Sequence, residues 1–266
     1  MNASGELEKK RATLEAVLHA HAPLVVAYSG GVDSACLLAV AQRTLGDRVL
    51  GVIADSPSLP RQALADALAV ARGFGAAVEV VRTDELDDPR YAANPMNRCY
   101  FCKAELFQRL DALARERHFA AIAYGENADD PAHLRPGSQA AAEFAILAPL
   151  KQAGLTKADV RALSREFGLP TADAPAQPCL SSRIPHGTPV TREALALVER
   201  GEAFVRSLGF RVFRVRFLEG ENARVQIAPD EMARLPAVRD DLARGLVQAG
   251  FGAVEIDPDG YRAAAG

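Results

Sequence analysis

Short apolar runs alternate with helical patterns over residues 1–175 of the chain. The apolar runs predict strands at 24–28, 48–54, 77–82 and 120–124. Apolar residues spaced three and four apart predict helices at 4–20, 33–45, 60–74, 103–118 and 156–167. Strands that alternate with helices are typical of a parallel sheet covered on both faces. The pattern therefore predicts a doubly wound α/β domain over residues 1–175.

The pattern changes after residue 190. It predicts a helix at 191–208, strands at 211–217 and 222–228, a helix at 230–249 and a strand at 252–257. These elements indicate a second, smaller α+β domain over residues 191–266. Residues 176–190 are rich in proline and polar groups, and they predict a connecting loop that bears Cys179.

Composition narrows the class of protein without choosing a function. The chain has 266 residues, 49% of them apolar, and a net charge of −3. It has no long basic tract, which argues against a large nucleic-acid partner. The amino terminus is polar and no apolar run is long enough to span a bilayer, so we expect a cytoplasmic protein. In that compartment cysteines serve as buried thiols, metal ligands or catalytic groups more often than as disulfides.

The segment Ser29-Gly30-Gly31-Val32-Asp33-Ser34 lies between the first apolar strand and the helix that follows it. Two glycines let the backbone approach an anion closely, and the N–H groups of a helix start stabilise negative charge. The hydroxyls of Ser29 and Ser34 add donors. The segment lacks both the Walker A ending and the dinucleotide Gly-x-Gly-x-x-Gly spacing. It predicts a phosphate-binding loop of another kind; a plain capped turn is the alternative.

Three of the four cysteines form a two-plus-one pattern. Cys99 and Cys102 lie three apart, just before a helical pattern that begins near Ala104, and Cys179 lies far along the chain. Three such thiolates can ligate three irons of a [4Fe–4S] cluster and leave the fourth iron open. Cys36 is predicted to be a small buried apolar side chain.

Two other uses of these cysteines stay open. A zinc site would need a fourth ligand, for which His133 and His186 are the candidates. A redox dithiol would use only Cys99 and Cys102.

The phosphate loop resembles that of the PP-loop ATP pyrophosphatases, which have an adenine nucleotide alpha hydrolase-like fold. Together with the cysteines and the segment Pro178-Cys-Leu-Ser-Ser-Arg183, it resembles the LarE-type ATP-dependent sulfur transferases. The resemblance covers nearly the whole chain. It extends to the segments Gly125-Glu-Asn-Ala-Asp-Asp130, Ile184-Pro-His-Gly-Thr-Pro-Val-Thr191 and Gly209-Phe-Arg-Val-Phe-Arg-Val-Arg216.

The resemblance implies a reaction. Such enzymes use ATP and Mg²⁺ to adenylate a carboxylate of pyridinium dicarboxylate mononucleotide and convert it to a thiocarboxylate for the nickel-pincer nucleotide of lactate racemase. Adenylation is needed because oxide is a poor leaving group and AMP is a good one. Sulfur comes either from a sacrificial cysteine at the position of Cys179, or from sulfide on a cluster held by Cys99, Cys102 and Cys179.

The resemblance also implies roles for individual residues. The ATP site would comprise Ser29, Gly30, Gly31, Asp33 and Ser34, with Asp33 in the magnesium and phosphate arrangement and Asp130 as a further member. The nucleotide substrate would contact Ser182, Arg183, Arg214 and Arg216, and Glu202 would lie near it, as a divalent-metal ligand. Simpler interpretations stay open: a solvated strand face for Arg214 and Arg216, a solvent-facing Glu202, and helix capping by Asn127 and Asp130.

Two other functions fit the same loop. A tRNA thiolase would adenylate a base, and an ammonia-dependent amidating ligase of the NAD synthetase type would use the loop without the cysteines. The LarE resemblance implies as partners a sulfide donor, a downstream nickel-inserting protein and further copies of this chain.

Overall fold

The strand at the centre of the main sheet consists of four buried apolar residues, Leu24–Ala27. It is β1 of the computed structural model, which describes residues 3–131 and 136–261. The other strands of this sheet are β2 Val49–Asp55, β3 Val78–Arg82 and β4 Ala121–Tyr124. The order is β3-β2-β1-β4 and every pairing is parallel. Apolar residues on both faces of β1 are expected for a parallel strand covered on both sides.

Helices cover both faces of this sheet, and the predicted doubly wound α/β fold is confirmed. The helices of the described chain are α1 Ala3–Ala20, α2 Val32–Leu45, α3 Arg61–Gly73, α4 Pro89–Ala92, α5 Arg98–Glu116, α6 Pro136–Glu143, α7 Pro149–Gln152, α8 Lys157–Glu166, α9 Arg192–Ser207 and α10 Leu235–Ala249. On one face α1, α2, α3 and α8 pack around Leu24 and Val26. On the other face α5 and α6 pack around Val25 and Ala27.

A second sheet of three strands belongs to the smaller region. Its strands are β5 Phe213–Leu218, β6 Asn222–Ile227 and β7 Val254–Ile256, in the order β5-β6-β7. The pair β5 and β6 is antiparallel, whereas β6 and β7 are parallel. The helices α9 and α10 pack against each other, and α9 packs on β5.

The chain divides into two units, and the division is not a single point along the sequence. One unit comprises the residues up to Glu85 and Asn97–Ala174, and the other comprises Leu86–Met96 and the residues from Pro175 onward. The segment Leu86–Met96, which lies within the range 1–175 of the predicted domain, is thus a part of the second unit. It is held there by Asn94, whose side-chain amide donates to the carbonyls of Pro185 and Thr188 at 2.8 Å each.

The start of α5 differs from the sequence prediction. The helix begins at Arg98 and not near Ala104, so Cys99 lies in its first turn and Cys102 at the start of its second, and neither precedes the helix. Cysteine and aromatic residues are weak helix formers, so this turn carries no sequence signal of its own. It is stabilised by packing: Tyr100 stacks edge to face on Phe101, and α6 packs along α5.

Candidate functional site

The loop after β1 lies where the strand order of the main sheet reverses. Strand β1 pairs with β2 on one side and with β4 on the other, both in parallel. In open α/β sheets ligands bind at the carboxyl ends of the strands at such a switch point. The segment Ser29–Ser34 therefore occupies the position in this fold where a ligand is expected.

Close packing fixes the backbone of this loop. Gly30 has a φ of +76°, and a Cβ atom there would lie 2.6 Å from the Cβ of Ala67, so only glycine fits. Gly31 is the N-cap residue of α2 and has no capping side chain, which leaves the amides of the helix start to a ligand. Just before the loop, the hydroxyl of Tyr28 donates to the carbonyl of Ala67 at 2.8 Å. Burial raises the pKa of Tyr28 to about 12.

The two serines of the loop bind each other. The hydroxyls of Ser29 and Ser34 lie 3.0 Å apart, and the hydroxyl of Ser34 accepts a hydrogen bond from the backbone N–H of Ser29 at 3.1 Å. The Ser34 hydroxyl also donates to the carbonyl of Gly31 at 3.1 Å. Ser34 is buried and Ser29 is exposed. Ser34 thus shapes the loop from within, while Ser29 faces the open side.

The segment that follows β4 meets this loop backbone to backbone. A Cβ atom at Gly125 would lie 2.7 Å from the backbone nitrogen of Ser34. Two residues on, the side-chain amide of Asn127 donates to Oδ1 of Asp33 at 3.2 Å. Asp130 accepts a hydrogen bond from the backbone N–H of Asn127 at 3.1 Å. Asn127 therefore contacts the loop directly, and Asp130 supports the turn that presents Asn127.

Lys157 is a member of this site that the sequence analysis missed. Its ammonium donates to Oδ2 of Asp33 at 2.5 Å. Lys157 is the first residue of α8, and its predecessor Thr156 forms a capping box with Asp159. The capping box is the one sequence signal that places Lys157 at a helix start. Asp33 and Lys157 are 124 positions apart, so their pairing has no local signature.

The cysteines are distributed over both units. Cys99 is exposed and Cys102 is half-buried, and because they are three apart in α5 they lie on the same side of the helix. Cys179 is exposed and immediately precedes the 3₁₀ turn Leu180–Arg183. Within residues 3–131 and 136–261, no group of three or more His, Cys, Asp or Glu side chains is positioned to hold a metal ion.

The remaining cysteine and the candidate zinc ligands are placed as follows. Cys36 is fully buried, as predicted, and burial raises its pKa to about 12. A ring nitrogen of His186 lies 3.4 Å from the carbonyl of Asn94. His133 lies outside the described residues.

Arg183 and Glu202 form a buried ion pair in the second unit. Nε of Arg183 donates to Oε1 of Glu202 at 2.8 Å, and Nη2 donates to Oε2 at 2.9 Å. Oε1 of Glu202 also accepts the backbone N–H of Val215 at 3.2 Å. The side chains of Arg183 and Glu202 are 4% and 8% exposed. The interpretation of Glu202 as a solvent-facing helix residue is therefore wrong.

Arg214 and Arg216 lie on the face of β5 opposite to the buried Val215. Arg214 is only 8% exposed, which excludes a solvated face for this residue. Its guanidinium lies 4.5 Å from the ring centre of Tyr261 and donates to the carbonyl of Ala176 at 3.1 Å. Arg216 is half-buried, and it donates to the carbonyl of Ser182 at 2.7 Å and to the side chain of Gln226 at 2.9 Å.

The guanidinium groups of this face repel one another. Burial lowers the pKa values of Arg214 and Arg216, and the nearby charge of Arg183 lowers both further. Glu202 provides one negative charge, which is not enough to neutralise the three guanidinium groups of Arg183, Arg214 and Arg216. A group of buried cations with a surplus of positive charge favours an anionic ligand.

Comparison with known proteins identifies a matching family and similar relatives. The sequence profile of the NAD synthase family matches residues 8–178. A pyridinium-3,5-bisthiocarboxylic acid mononucleotide synthase of Lactiplantibacillus plantarum is 34% identical over 257 residues, which cover 96% of this chain and 93% of that protein. An uncharacterized protein of Synechocystis sp. is 43% identical over 242 residues, which cover 90% of this chain and 89% of that one.

No helix among residues 3–131 and 136–261 is both long enough and apolar enough to cross a membrane. The family profile covers the main sheet, and the match to the Lactiplantibacillus plantarum synthase continues through the second unit. The chain therefore belongs to the PP-loop ATP-using enzymes, and within them to the LarE family of sulfur transferases.

Proposed function

We propose that this protein uses ATP to adenylate a carboxylate of pyridinium dicarboxylate mononucleotide and then exchanges the AMP for sulfur. The product is a thiocarboxylate, as in the nickel-pincer nucleotide. The observation that carries the proposal is the reach of the match to the Lactiplantibacillus plantarum synthase. It covers 96% of the chain, including the region beyond residue 178 that the NAD synthase profile leaves out.

The first unit would perform the adenylation. A carboxylate oxygen of the substrate attacks the α-phosphorus of ATP, the bond to the bridging oxygen breaks, and pyrophosphate leaves. The amides at the start of α2 would bind the pyrophosphate as it gains charge. Asp33 is held between Asn127 and Lys157, within reach of the same position. Its carboxylate fits an Mg²⁺ ion, which would neutralise phosphate charge when bound.

Lys157 would take part in the adenylation, because it pairs with the carboxylate of Asp33 beside the phosphate loop. Its ammonium is 39% exposed at the side chain and lies beside the phosphate loop, so a phosphate oxygen could replace Asp33 as its partner. Exchange of one oxyanion for another keeps the ammonium paired throughout. We therefore expect Lys157 to contribute to binding and stabilising the pyrophosphate.

The second unit would bind the nucleotide substrate. The substrate carries a phosphate and two carboxylates, and guanidinium groups bind such anions with paired hydrogen bonds. Arg214 and Arg216, with the hydroxyl of Ser182 nearby, are the groups proposed for this contact. A bound anion would offset the repulsion that lowers the pKa values of both arginines.

Sulfur would come either from sulfide on a bound cluster or from Cys179 itself. In one route Cys99, Cys102 and Cys179 ligate a [4Fe–4S] cluster, and thiols in this two-plus-one pattern have the right donor chemistry. A cluster bound there would supply sulfide from its fourth iron. In the other route the thiolate of Cys179 displaces AMP and forms a thioester. Loss of the Cα proton then breaks the Cβ–S bond and leaves dehydroalanine on the chain and a thiocarboxylate on the product.

An amidating ligase is the second candidate, because the NAD synthase profile matches residues 8–178. In that reaction ammonia attacks the adenylate and no cysteine is needed. Activity that survives the substitution Cys179→Ala would favour it.

The proposal is tested by incubating anaerobically purified protein with ATP, Mg²⁺ and pyridinium dicarboxylate mononucleotide, and weighing both the small molecule and the intact chain by mass spectrometry. A product that gains sulfur while the chain mass stays constant supports the cluster route. A chain that loses the mass of hydrogen sulfide at Cys179 supports the sacrificial route. A product that gains no sulfur, while AMP forms, refutes the proposed function.

A further inference from the structure

One guanidinium group binds both peptide carbonyls that flank Cys179. Nη1 of Arg183 donates to the carbonyl of Pro178 at 2.5 Å and to the carbonyl of Cys179 at 3.0 Å. The same nitrogen lies 3.0 Å from the hydroxyl oxygen of Ser182. The backbone on either side of the thiol-bearing residue is thus fixed to a single side chain.

Glu202 connects this guanidinium to regular structure. It belongs to α9, it accepts from Nε and Nη2 of Arg183 through both carboxylate oxygens, and it accepts the backbone N–H of Val215 in β5. Two parallel hydrogen bonds between a guanidinium and a carboxylate fix the relative orientation of the two groups as well as their distance. The loop of Cys179 is therefore connected through two side chains to a helix and a strand.

Other hydrogen bonds reach the loop on either side of this point, from Arg214 to the carbonyl of Ala176 at 3.1 Å and from Arg216 to the carbonyl of Ser182 at 2.7 Å. The residues from Pro175 to Cys179 are all exposed, so no apolar burial fixes their backbone. After them, Ser182 donates its backbone N–H to the carbonyl of Cys179 at 3.0 Å, and Ile184 donates to Ser181 at 3.1 Å. These two hydrogen bonds close the 3₁₀ turn that begins where Arg183 binds.

The same contacts bear on the role expected of Arg183. A guanidinium has five N–H donors, and those of Nε, Nη1 and Nη2 already bind groups of this chain. Few of its N–H donors therefore remain for a phosphate of the substrate, whereas the resemblance implies that Arg183 contacts the substrate.

We propose that the Arg183–Glu202 pair positions Cys179 for sulfur transfer and is not itself a substrate ligand. The inference rests on the proposed function for its catalytic consequence, but its structural part does not need substrate. Arg183 and Glu202 act through the backbone of Cys179, so they are positioning residues.

The test compares Arg183→Lys and Glu202→Gln with Glu231→Gln. Lysine keeps the charge, which suffices for a phosphate, but it cannot span two carboxylate oxygens and two carbonyls at once. Glu231 is a matched control, because it is also a buried carboxylate of the second unit and accepts the backbone N–H groups of Arg211 and Val212. Amide hydrogen exchange at Ser182 and Ile184 is measured without substrate, and kcat and KM are measured for sulfur transfer.

We expect the amides of Ser182 and Ile184 to exchange roughly tenfold faster or more in Arg183→Lys and Glu202→Gln, and at the wild-type rate in Glu231→Gln. We expect kcat to fall roughly tenfold to a hundredfold with little change in KM for the nucleotide, since misplacement of the sulfur affects the reaction more than binding. Unchanged exchange in Arg183→Lys and Glu202→Gln would overturn the inference. A further variant, Arg183→Gln, removes the charge: a KM that is raised in Arg183→Gln but near that of the wild type in Arg183→Lys would also overturn the inference, by making Arg183 a phosphate ligand.

The two proposals fail in different ways. A wild-type protein that transfers no sulfur refutes the proposed function, whereas the exchange of Ser182 and Ile184 still decides whether the pair holds the loop.

Discussion

The ammonium of Lys157 lies 2.5 Å from Oδ2 of Asp33, and the pair joins the start of α8 to the start of α2. The other carboxylate oxygen of Asp33 accepts the side-chain amide of Asn127, which follows β4. One carboxylate thus connects three segments at the carboxyl end of the main sheet. Substitutions of Asp33, Asn127 or Lys157 should therefore impair the reaction with ATP in a protein that still folds.

Lys157→Ala should lower the rate of ATP–pyrophosphate exchange by about 10- to 100-fold, because the developing charge on the pyrophosphate loses a cation. The matched control is Lys10→Ala, which removes another ion pair of α8, between Lys10 and Asp159 at 2.7 Å. The control should leave the exchange rate near that of the wild type. Equal losses in the two variants would assign Lys157 to helix stability alone.

Gly125→Ala should weaken ATP binding and destabilise the protein by about 1–3 kcal/mol, since its Cβ would lie 2.7 Å from the backbone nitrogen of Ser34 and would force the two segments apart. Gly73→Ala serves as the control, because a Cβ atom there meets nothing within 4 Å. Thermal unfolding with and without ATP measures both effects. Wild-type ATP affinity in Gly125→Ala would contradict a close contact at the loop.

Tyr28 should make the protein less stable in alkali. Its pKa rises from 10.0 in the unfolded chain to about 12 in the fold, because burial disfavours the phenolate. The folded state then binds the proton more tightly, so the stabilisation is complete below pH 10 and is lost as the pH rises towards 12.

Tyr28→Phe separates this effect from general alkaline unfolding. At pH 8 the free energy of unfolding of the variant should be about 1 kcal/mol lower than that of the wild type, because phenylalanine cannot donate to the carbonyl of Ala67. Above pH 10 the free energy of unfolding of the variant should fall less steeply. Urea unfolding at pH 8, 10 and 11 measures both. Parallel curves for the two proteins above pH 10 would show that Tyr28 stays out of this titration.

Arg214→Ala should raise KM for the nucleotide substrate roughly tenfold or more and leave KM for ATP unchanged, because a charged hydrogen bond to the substrate is lost. Arg200→Ala is the control, since this exposed arginine of α9 donates to the carbonyl of Ala249. Steady-state kinetics with each substrate varied in turn measures the effect. Equal weakening of both substrates would place Arg214 in the ATP site.

Cys99→Ala should abolish the iron and acid-labile sulfide of anaerobically purified protein if the cluster route operates, because two thiolates do not retain a [4Fe–4S] cluster. Cys36→Ala should keep both, since Cys36 is fully buried in the core. Iron and sulfide analysis, with the visible spectrum, measures this. Full iron content in Cys99→Ala would mean that the ligand set is misassigned.

The strands and the phosphate loop are visible in the sequence because their signals are local. Four apolar residues in a row, followed by two glycines and a helical pattern, are enough to predict β1, the loop and α2. The first turn of α5 carries no such signal, because Cys99 to Cys102 are weak helix formers and the turn depends on packing with α6.

Sequence motifs do not show which groups the charged side chains pair with in the fold. A motif places Arg183 near a substrate, but only the fold brings it to Glu202, 19 positions away, and to the carbonyls beside Cys179. Lys157 is a stronger case, since its distance from Asp33 along the chain hides the contact entirely. Long-range pairing of this kind depends on strand order, which single motifs do not encode.

The segment Leu86–Met96 makes the two units inseparable by any single cut of the chain. The polypeptide leaves the first unit after Glu85, returns at Asn97 and leaves again after Ala174. A fragment that ends at residue 175 would retain Tyr91 and Asn94 without Ser181 and the carbonyls that they bind. A fragment that begins there would lack the same contacts from the other side. Neither fragment can therefore be exchanged between relatives on its own. A chimeric enzyme of this family needs to take Leu86–Met96 from the same parent as the region from Pro175 onward.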